Sequence, residues 1–534
     1  MSIRKASLLL PALDIEAGIS KELGKHFHTY ESLKIIPRSD VEPTAIFLRS
    51  QMLIKKKSNG LVTARLAIDG SRQPRASYND TYAGTSDTTN RAFILSAYLA
   101  DASHRNCLDC LLLGDFDFPG AFLHNKLTRE MTNGHQLIAT LPSDLPEHLA
   151  GKLAEITGCC YGIKQANHEY DKDLVNLLTT NGFVPTASDH HSFYKQCPLN
   201  PLNSLTLNMH VDDGWYVTCS TILREELKTI LQRRYGTIAF NDKSTGVCGV
   251  RLTRHADHSC TLDQGAHILK FLHQSGMDLV PPALTPSTPH FFDPPSDITP
   301  VDRTRFMRIN GTLVFLLPIR HDIRKEVVHL CTRNSNPTRS DLTKQTHLLR
   351  YLKSCPDLGP TFSSNPATFK SGVTIYAAAD SSHACHPDGH SHSAYTIQIG
   401  TTNAPFVVHS SAETAGIALS PCEAEYLALG RCAKDVTFFR QFASDLGFPQ
   451  HSPTTILEDN QPAINLTTAS QVTRRSRHIA LKSHYVRYLY KTKQIAPQHI
   501  GTHDMIADGL TKTLSPSQFL WFRSKLLNTH SATP

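Results

Sequence analysis

No run of about 18 apolar residues occurs anywhere in the 534-residue chain, which excludes an apolar membrane-spanning helix. The opening MSIRKASLLLPALDIEAG has too short an apolar core for a secretory leader. The 13 cysteines follow no paired framework, and Cys107-x-x-Cys110 has no second pair at zinc spacing. Reduced or buried thiols are therefore expected, in a soluble intracellular protein. Acidic residues are missing from one long stretch: Gln471–Ile495 holds seven Lys/Arg and no Asp or Glu. What is present is ordinary globular composition, 40% hydrophobic and 19% charged. The length is too great for one core and predicts three or four domains. A net charge of +7 permits a polyanionic partner without requiring one.

The stretch around which the chain is organised is LTLNMHVDDGWYV, Leu205–Val217. Leu205, Leu207, Met209 and Val211 alternate with polar residues, the mark of a half-buried strand. Asp213-Gly214 is a tight-turn signal, and Trp215-Tyr216-Val217 start a returning strand. Asp212 and Asp213 are thus expected at a hairpin tip. Like charges placed there are relieved by a divalent cation; solvated turn acids are the simpler reading. Upstream, Cys110–Phe118 reads as a buried strand carrying Asp115 and Asp117 on one face. Asp117 with Asp212 and Asp213 would make a carboxylate trio able to hold two metals about 3.5–4 Å apart. Phe47–Asp69 reads as two strands joined at Ser58-Asn59-Gly60, with Lys55, Lys56, Lys57 and Arg65 beside the turn. Those cations suit a triphosphate, or simply protect a solvated edge strand.

Seven prolines in Pro281–Pro300 predict an extended linker, followed by amphipathic helices in 306–330 and 346–355. Beyond them, Val373–Asp380 is strand-like and ends in Asp380. In ALSPCEAEYLAL, Ser420 suits an N-cap, Pro421 the first helical position and Glu423 the reciprocal cap. Glu425, about 200° further round the helix, is free for another role. Asp459 ends the strand TTILEDN, and Asp508 is expected near the start of a C-terminal helix. Four acids in the order strand, helix, strand, helix resemble the pattern of an RNase H domain. His383, His386, His390 and His392 lie in a loop, where convergence on zinc is disfavoured. His503 is a candidate proton shuttle. Arg474, Arg475, Arg477 and Lys482 are candidates for sequence-independent phosphate contacts, a solvated helix face being the alternative.

The order of ARLAIDGSRQ, YNDTYAG, DFPGAFLHN, CYGIKQA, HVDD and GVRL…LDQGAHILKFL resembles the reverse transcriptase of copia-type LTR retrotransposons. LSPCEAEYLAL, EDNQPAINL, RRSRHIALKSHYVR and ADGLTK resemble the RNase H of the same elements. The resemblance implies an α+β and α/β multidomain chain, with right-hand polymerase fingers and palm, a connection, and an RNase H-like mixed sheet. The implied boundaries are an N-terminal extension to 40, fingers and palm over 41–280 and a linker over 281–304. The connection would cover 305–370, RNase H 371–515, and a tail 516–534. It makes Asp117, Asp212 and Asp213 the polymerase metal ligands, and Asp380, Glu425, Asp459 and Asp508 the nuclease ligands. Mg²⁺ or Mn²⁺ would bind, two ions per site. Arg65, Lys164 and Gln165 would touch the incoming nucleotide or template.

Partners implied are an RNA template, a DNA primer, RNA–DNA hybrid and deoxynucleotide triphosphates, with other retroelement proteins (Gag, integrase) acting in trans. The cytoplasm is the implied location, inside virus-like particles or with nuclear entry as further options. Departures from the family are His210 for Tyr, Asn167-His168 for Pro-Arg, Pro119-Gly120 for a Lys-Thr type pair, Thr63 for Lys, and Ala378 for Asp. None of the first four removes a metal ligand, and with Ala378 in place of a further Asp the nuclease relies on Asp380. Together they leave open a decayed or co-opted protein that binds nucleic acid without catalysis. No protease Asp-Thr/Ser-Gly motif or integrase zinc module fits the sequence, so a truncated or separately delimited reading frame is expected.

Overall fold

The computed structural model describes residues 1–57, 60–386, 388–413, 416–468 and 480–529, the side chains of 480–483 excepted. Helix α1 (Ala12–Gly24) lays Ile15, Ile19 and Leu23 on strands β1 (Ile46–Lys56) and β2 (Val62–Ile68). These strands pair antiparallel from Ser50↔Ile68 to Lys56↔Val62, and β1 joins Leu137–Thr140 in a five-stranded sheet. Helix α2 (Thr88–His104) starts at the Asp87 cap, which accepts from the Asn90 amide. It leads to β3 (Leu112–Asp117). Helix α3 (Ala166–Thr180), β4 (Ser192–Gln196), β5 (Ser204–His210), β6 (Asp213–Thr218) and α4 (Thr221–Tyr235) follow. Strands β3, β6, β5 and β4 lie side by side, in that order, at the centre of a six-stranded sheet.

Strand β5 is buried on both faces rather than one. Leu205, Leu207 and Met209 enter the core under α4. On the opposite face the Thr206 hydroxyl meets Tyr98 of α2 at 2.8 Å, and Asn208 Nδ2 donates to Ser86 and Ser192. The polar half of the alternation thus enters an internal network, in which Asn208 Oδ1 alone of these atoms is left without a partner.

Strands β7 (Val250–Arg254) and β8 (Cys260–Asp263) extend into a small sheet completed by Thr361–Phe362. Helices α5 (Arg303–Leu316), α6 (Arg324–Thr332) and α7 (Arg339–Ser354) share one core. The proline-rich segment before them has little regular structure, yet it is fastened down. Phe291 is fully buried, Arg350 Nε donates to the Pro281 carbonyl at 2.8 Å, and Lys353 caps the Met277 and Val280 carbonyls.

The C-terminal unit is a mixed sheet: β9 (Ile375–Ser382), β10 (His392–Ile399) and β11 (Val407–Ala412) antiparallel, with helix α8 (Pro421–Asp445) laid across them. Strand β12 (Thr454–Glu458) and, after α9 (Ala480–Lys491), β13 (Ile495–His499) join parallel on the other side of β9. Within the segment 516–534 expected as a tail, Pro516–Leu526 form α10, whose Phe519, Phe522 and Leu526 enter the core of α5–α7.

Helix α2 joins the two halves of the molecule. Its residues from Ala92 to Ala102 pack on Leu113, Trp215 and Val217 of the central sheet and also on Tyr395, Ile397 and Phe442 of the C-terminal unit. The Phe93 ring lies 5.0 Å from Phe406 and 5.2 Å from Phe442.

Candidate active sites

The first acidic cluster is built by strand register. Asp213 is the cross-strand partner of Asp117, and Trp215 and Val217 pair with Asp115 and Leu113 on the same face. The hairpin turn differs from the expected one: Val211 and Asp212 form it, and Asp213-Gly214 already belongs to β6. Gly214 serves packing instead, since a Cβ there would lie 2.2 Å from the Phe116 ring. The turn leaves Val211 at φ 59°, a conformation that a β-branched residue rarely adopts.

Burial, and then the charge of Asp212, hold the Asp117 and Asp213 carboxyls above the usual carboxylate range. The charge of Lys57, just after β1, pulls Asp117 back down. Arg91 of α2 does the same for Asp213, and Cys248 Sγ lies 3.7 Å from Asp213 Oδ2.

The residues expected around this cluster are placed as follows. Arg65 is exposed on β2 with its guanidinium 4.3 Å from the Tyr161 ring centroid. Burial outweighs that cation and pushes the Tyr161 phenol up to about 12. Lys164 is exposed, and its backbone N–H donates to Gln73 Oε1 at 3.0 Å. Gln165 is buried, with Oε1 accepting from Gln73 Nε2 at 2.9 Å and its own Nε2 unpartnered. His210 Nδ1 lies 3.2 Å from the Ser86 carbonyl oxygen, and His168 Nδ1 lies 2.7 Å from that of Tyr82. Both departing histidines therefore pin the 78–87 loop.

The second cluster is tighter. Asp380 on β9, Glu425 on α8 and Asp459 after β12 each offer a carboxylate oxygen, and these atoms lie within 4.8 Å of one another. Ser420 caps α8 by accepting from the Glu423 amide, and Glu423 accepts from the Leu419 amide at 2.8 Å. Glu425 is left to face Asp380. Burial, then Asp380 and Asp459, push its carboxyl up to about 9. Asp380 is raised by burial and by Asp508, and takes a hydrogen bond from the Thr511 hydroxyl. Asp508 adjoins Asp380 and accepts from Lys512 Nζ at 2.5 Å. It lies in the short helix Ile506–Leu510, ahead of α10 and not within it. Glu425 Oε2 is buried without a partner. An orphaned carboxylate oxygen amid like charges fits a divalent cation.

No protein-family model matches the chain. Among curated proteins it is 26% identical over 517 residues to the retrovirus-related Pol polyprotein from transposon RE1 of Arabidopsis thaliana, covering 95% of this chain. The corresponding polyprotein of transposon RE2 is 26% identical over 516 residues. That of transposon TNT 1-94 from Nicotiana tabacum is 24% identical over 496 residues, 88% of this chain and 35% of the relative. The chain is thus similar to the retrovirus-related Pol polyproteins of plant transposons. It spans 33% of the length of the two Arabidopsis relatives. Among solved structures it is similar to a foamy viral protease-reverse transcriptase in complex with double-stranded DNA, at 11% identity and TM-score 0.48, over 92% of this chain and 70% of that one. An RNase H1 isolated from compost is similar at 16% identity and TM-score 0.21, over 26% of this chain and 91% of that one.

In this relative of Pol polyproteins the sequence left one acid of the second site unassigned. Glu458 is fully buried, and burial together with Glu425 pushes its carboxyl up to about 10. Thr511 and Lys512 were also missed, although their places three and four residues after Asp508 are a helical signal. The loop histidines are spent separately. His386 Nε2 meets His392 Nδ1 at 3.1 Å, and His392 Nε2 meets Ser410 at 2.7 Å. His383 Nε2 meets the Ala418 carbonyl at 3.0 Å, and among the described residues the four do not converge. Arg474, Arg475 and Arg477 lie outside the described residues, as does the side chain of Lys482 on α9. Arg487 is buried and donates to the Leu466 carbonyl.

Proposed function

We propose that this chain is an RNA-directed DNA polymerase that also degrades the RNA of RNA–DNA hybrids. The observation that carries the reading is the pairing of two acid clusters on one chain, each holding carboxyls above their ordinary range, in a chain similar to Pol polyproteins over 95% of its length. In the first site Asp117, Asp212 and Asp213 would hold Mg²⁺ or Mn²⁺. In the second, Asp380, Glu425, Asp459 and Asp508 would do so, two ions per site in each. When bound, the cations neutralise the reacting phosphate and favour the deprotonated attacking oxygen.

The chain's own residues do the rest. The Lys55–Lys57 end of the β1–β2 hairpin and Arg65 attract the triphosphate of an incoming deoxynucleotide. The Gln73–Gln165–Lys164 bonds fix the loop on which Lys164 meets the template or nucleotide. The Val211–Asp212 turn orients the Asp212 carboxylate toward a primer end. In the second site Thr511 and Lys512 hold Asp380 and Asp508 in place while hybrid enters.

An RNA template, a DNA primer and hybrid are the partners this reading requires, with Gag-like and integrase-like proteins supplied in trans. A cytoplasmic setting within virus-like particles accords with it. The test is paired: Asp213→Asn should abolish primer extension and spare hybrid cleavage, and Glu425→Gln should do the reverse. Salt-sensitive hybrid binding with neither activity would instead identify a nucleic-acid-binding protein without catalysis.

A further inference from the structure

Next to the second acid cluster is a cavity of about 300 Å³ whose outer wall is helix α10. We propose that this cavity is a subsite for one unpaired nucleotide of the RNA strand, with Trp521 as its stacking platform. The proposal rests on the nuclease reading of the adjoining acids.

The cavity is continuous with those acids. Asp508 lines it and adjoins Asp380, and Thr502 on its rim donates to Asp459 Oδ2 at 2.9 Å. Anything seated here is therefore positioned relative to the reacting phosphate. Its floor is apolar, made by the buried Met505 and Phe522. Gly509 permits that floor, because a Cβ there would lie 2.3 Å from the Phe522 ring. Trp521 closes one side with 47% of its surface exposed, an unusual state for a large aromatic on a helix that buries Phe519, Phe522 and Leu526. Exposed indole over an apolar floor is the chemistry of base stacking, which tolerates any base because every base has a π-face.

The polar wall residues fit the same occupant. Gln518 Oε1 is engaged by Ser515 in the helix cap, so the wall favours stacking over base-edge reading. Lys512 bonded to Asp508 offsets the acid that would otherwise repel a phosphate, and exposed His503 also lines the cavity. A volume of about 300 Å³ is at the small end of ligand pockets and suits a nucleotide, not a duplex. The occupant is thus a frayed or overhanging RNA end.

The chain has two tryptophans, and Trp215 is buried two residues from Asp213, so the part of a ligand-dependent change in indole emission that is lost in the Trp521→Phe, Glu425→Gln protein reports on Trp521. The full-length Glu425→Gln protein, which leaves the RNA intact, is titrated with Mg²⁺ and either blunt hybrid or hybrid with a short RNA overhang. Quenching by the overhung hybrid, absent with the blunt one, is the expected result. Equal emission with both overturns the subsite, whether or not the wild-type chain cleaves RNA. In the wild-type background, Trp521→Ala should raise KM for overhung hybrid roughly five-fold or more, while Trp521→Phe retains most of the preference. Turnover at saturation, blunt-hybrid cleavage and primer extension should stay unchanged. An unchanged KM for overhung hybrid in an enzyme that cleaves would also overturn the proposal, and a chain that cleaves no hybrid at all would sink the nuclease reading instead.

Discussion

Glu425 shows most plainly what the second acid cluster is built to do. Its carboxyl is pushed up to about 9 by burial and by Asp380 and Asp459, so without a cation the folded state keeps a proton that the unfolded state releases near the ordinary pKa. The folded state then binds more protons than the unfolded one between those values, and its stability falls as pH rises through that window. Glu425→Gln should therefore stabilise the metal-free protein, and by more at pH 8 than at pH 6, up to about 1 kcal/mol per pH unit. Thermal melts in chelator check this, and added Mg²⁺ should erase or reverse the gain. A gain that shrinks with rising pH would contradict it. Val211 supplies a second case. Its left-handed backbone suits Asn better than a β-branched residue, so Val211→Asn should stabilise the chain by about 1 kcal/mol in denaturant melts. At this scale the acids were legible because alternation and capping leave them no structural task. The turn was misread because Asp-Gly is a generic turn signal, whereas Gly214 is needed for the Phe116 ring.

Helix α2 carries the main lesson among the elements. Twelve of its 17 residues are buried, from Arg91 to Ser103, which leaves little amphipathic contrast for a sequence reading to use. The helix itself could be read, but not the second surface it packs against, since that surface begins some 300 residues later. Phe93→Ala removes the ring by which α2 packs on Phe406 and Phe442 of the C-terminal unit and should cost about 3–5 kcal/mol. Chemical denaturation measures the loss, and both activities should decline together rather than one alone. The helix α10 segment was taken for a tail because the partners of its Phe519, Phe522 and Leu526 lie in α5–α7, far away in sequence. The prolines of 281–300 were read as an extended linker because composition does not show that Phe291 finds a buried site.

Across the whole molecule, the two acid clusters stand on sheets that share one core through α2. Asp445 adds a polar tie by accepting from the Ser188 hydroxyl at 2.8 Å. The central sheet and the C-terminal sheet should consequently unfold in one calorimetric transition, and Phe93→Ala should split or broaden it. Two well-separated transitions in the unaltered chain would contradict a shared core. The order of motifs made both clusters visible in the sequence, because each motif is local. Their mounting on a common core depends on contacts between distant segments and was not visible.

The central claim is polymerisation at Asp117, Asp212 and Asp213, and a labelled DNA primer annealed to an RNA template tests it most directly. With deoxynucleotides and Mg²⁺, the full-length chain should extend the primer, and the Asp213→Asn chain should leave it unextended while still cleaving hybrid. Extension that persists undiminished in the Asp213→Asn chain would contradict the account.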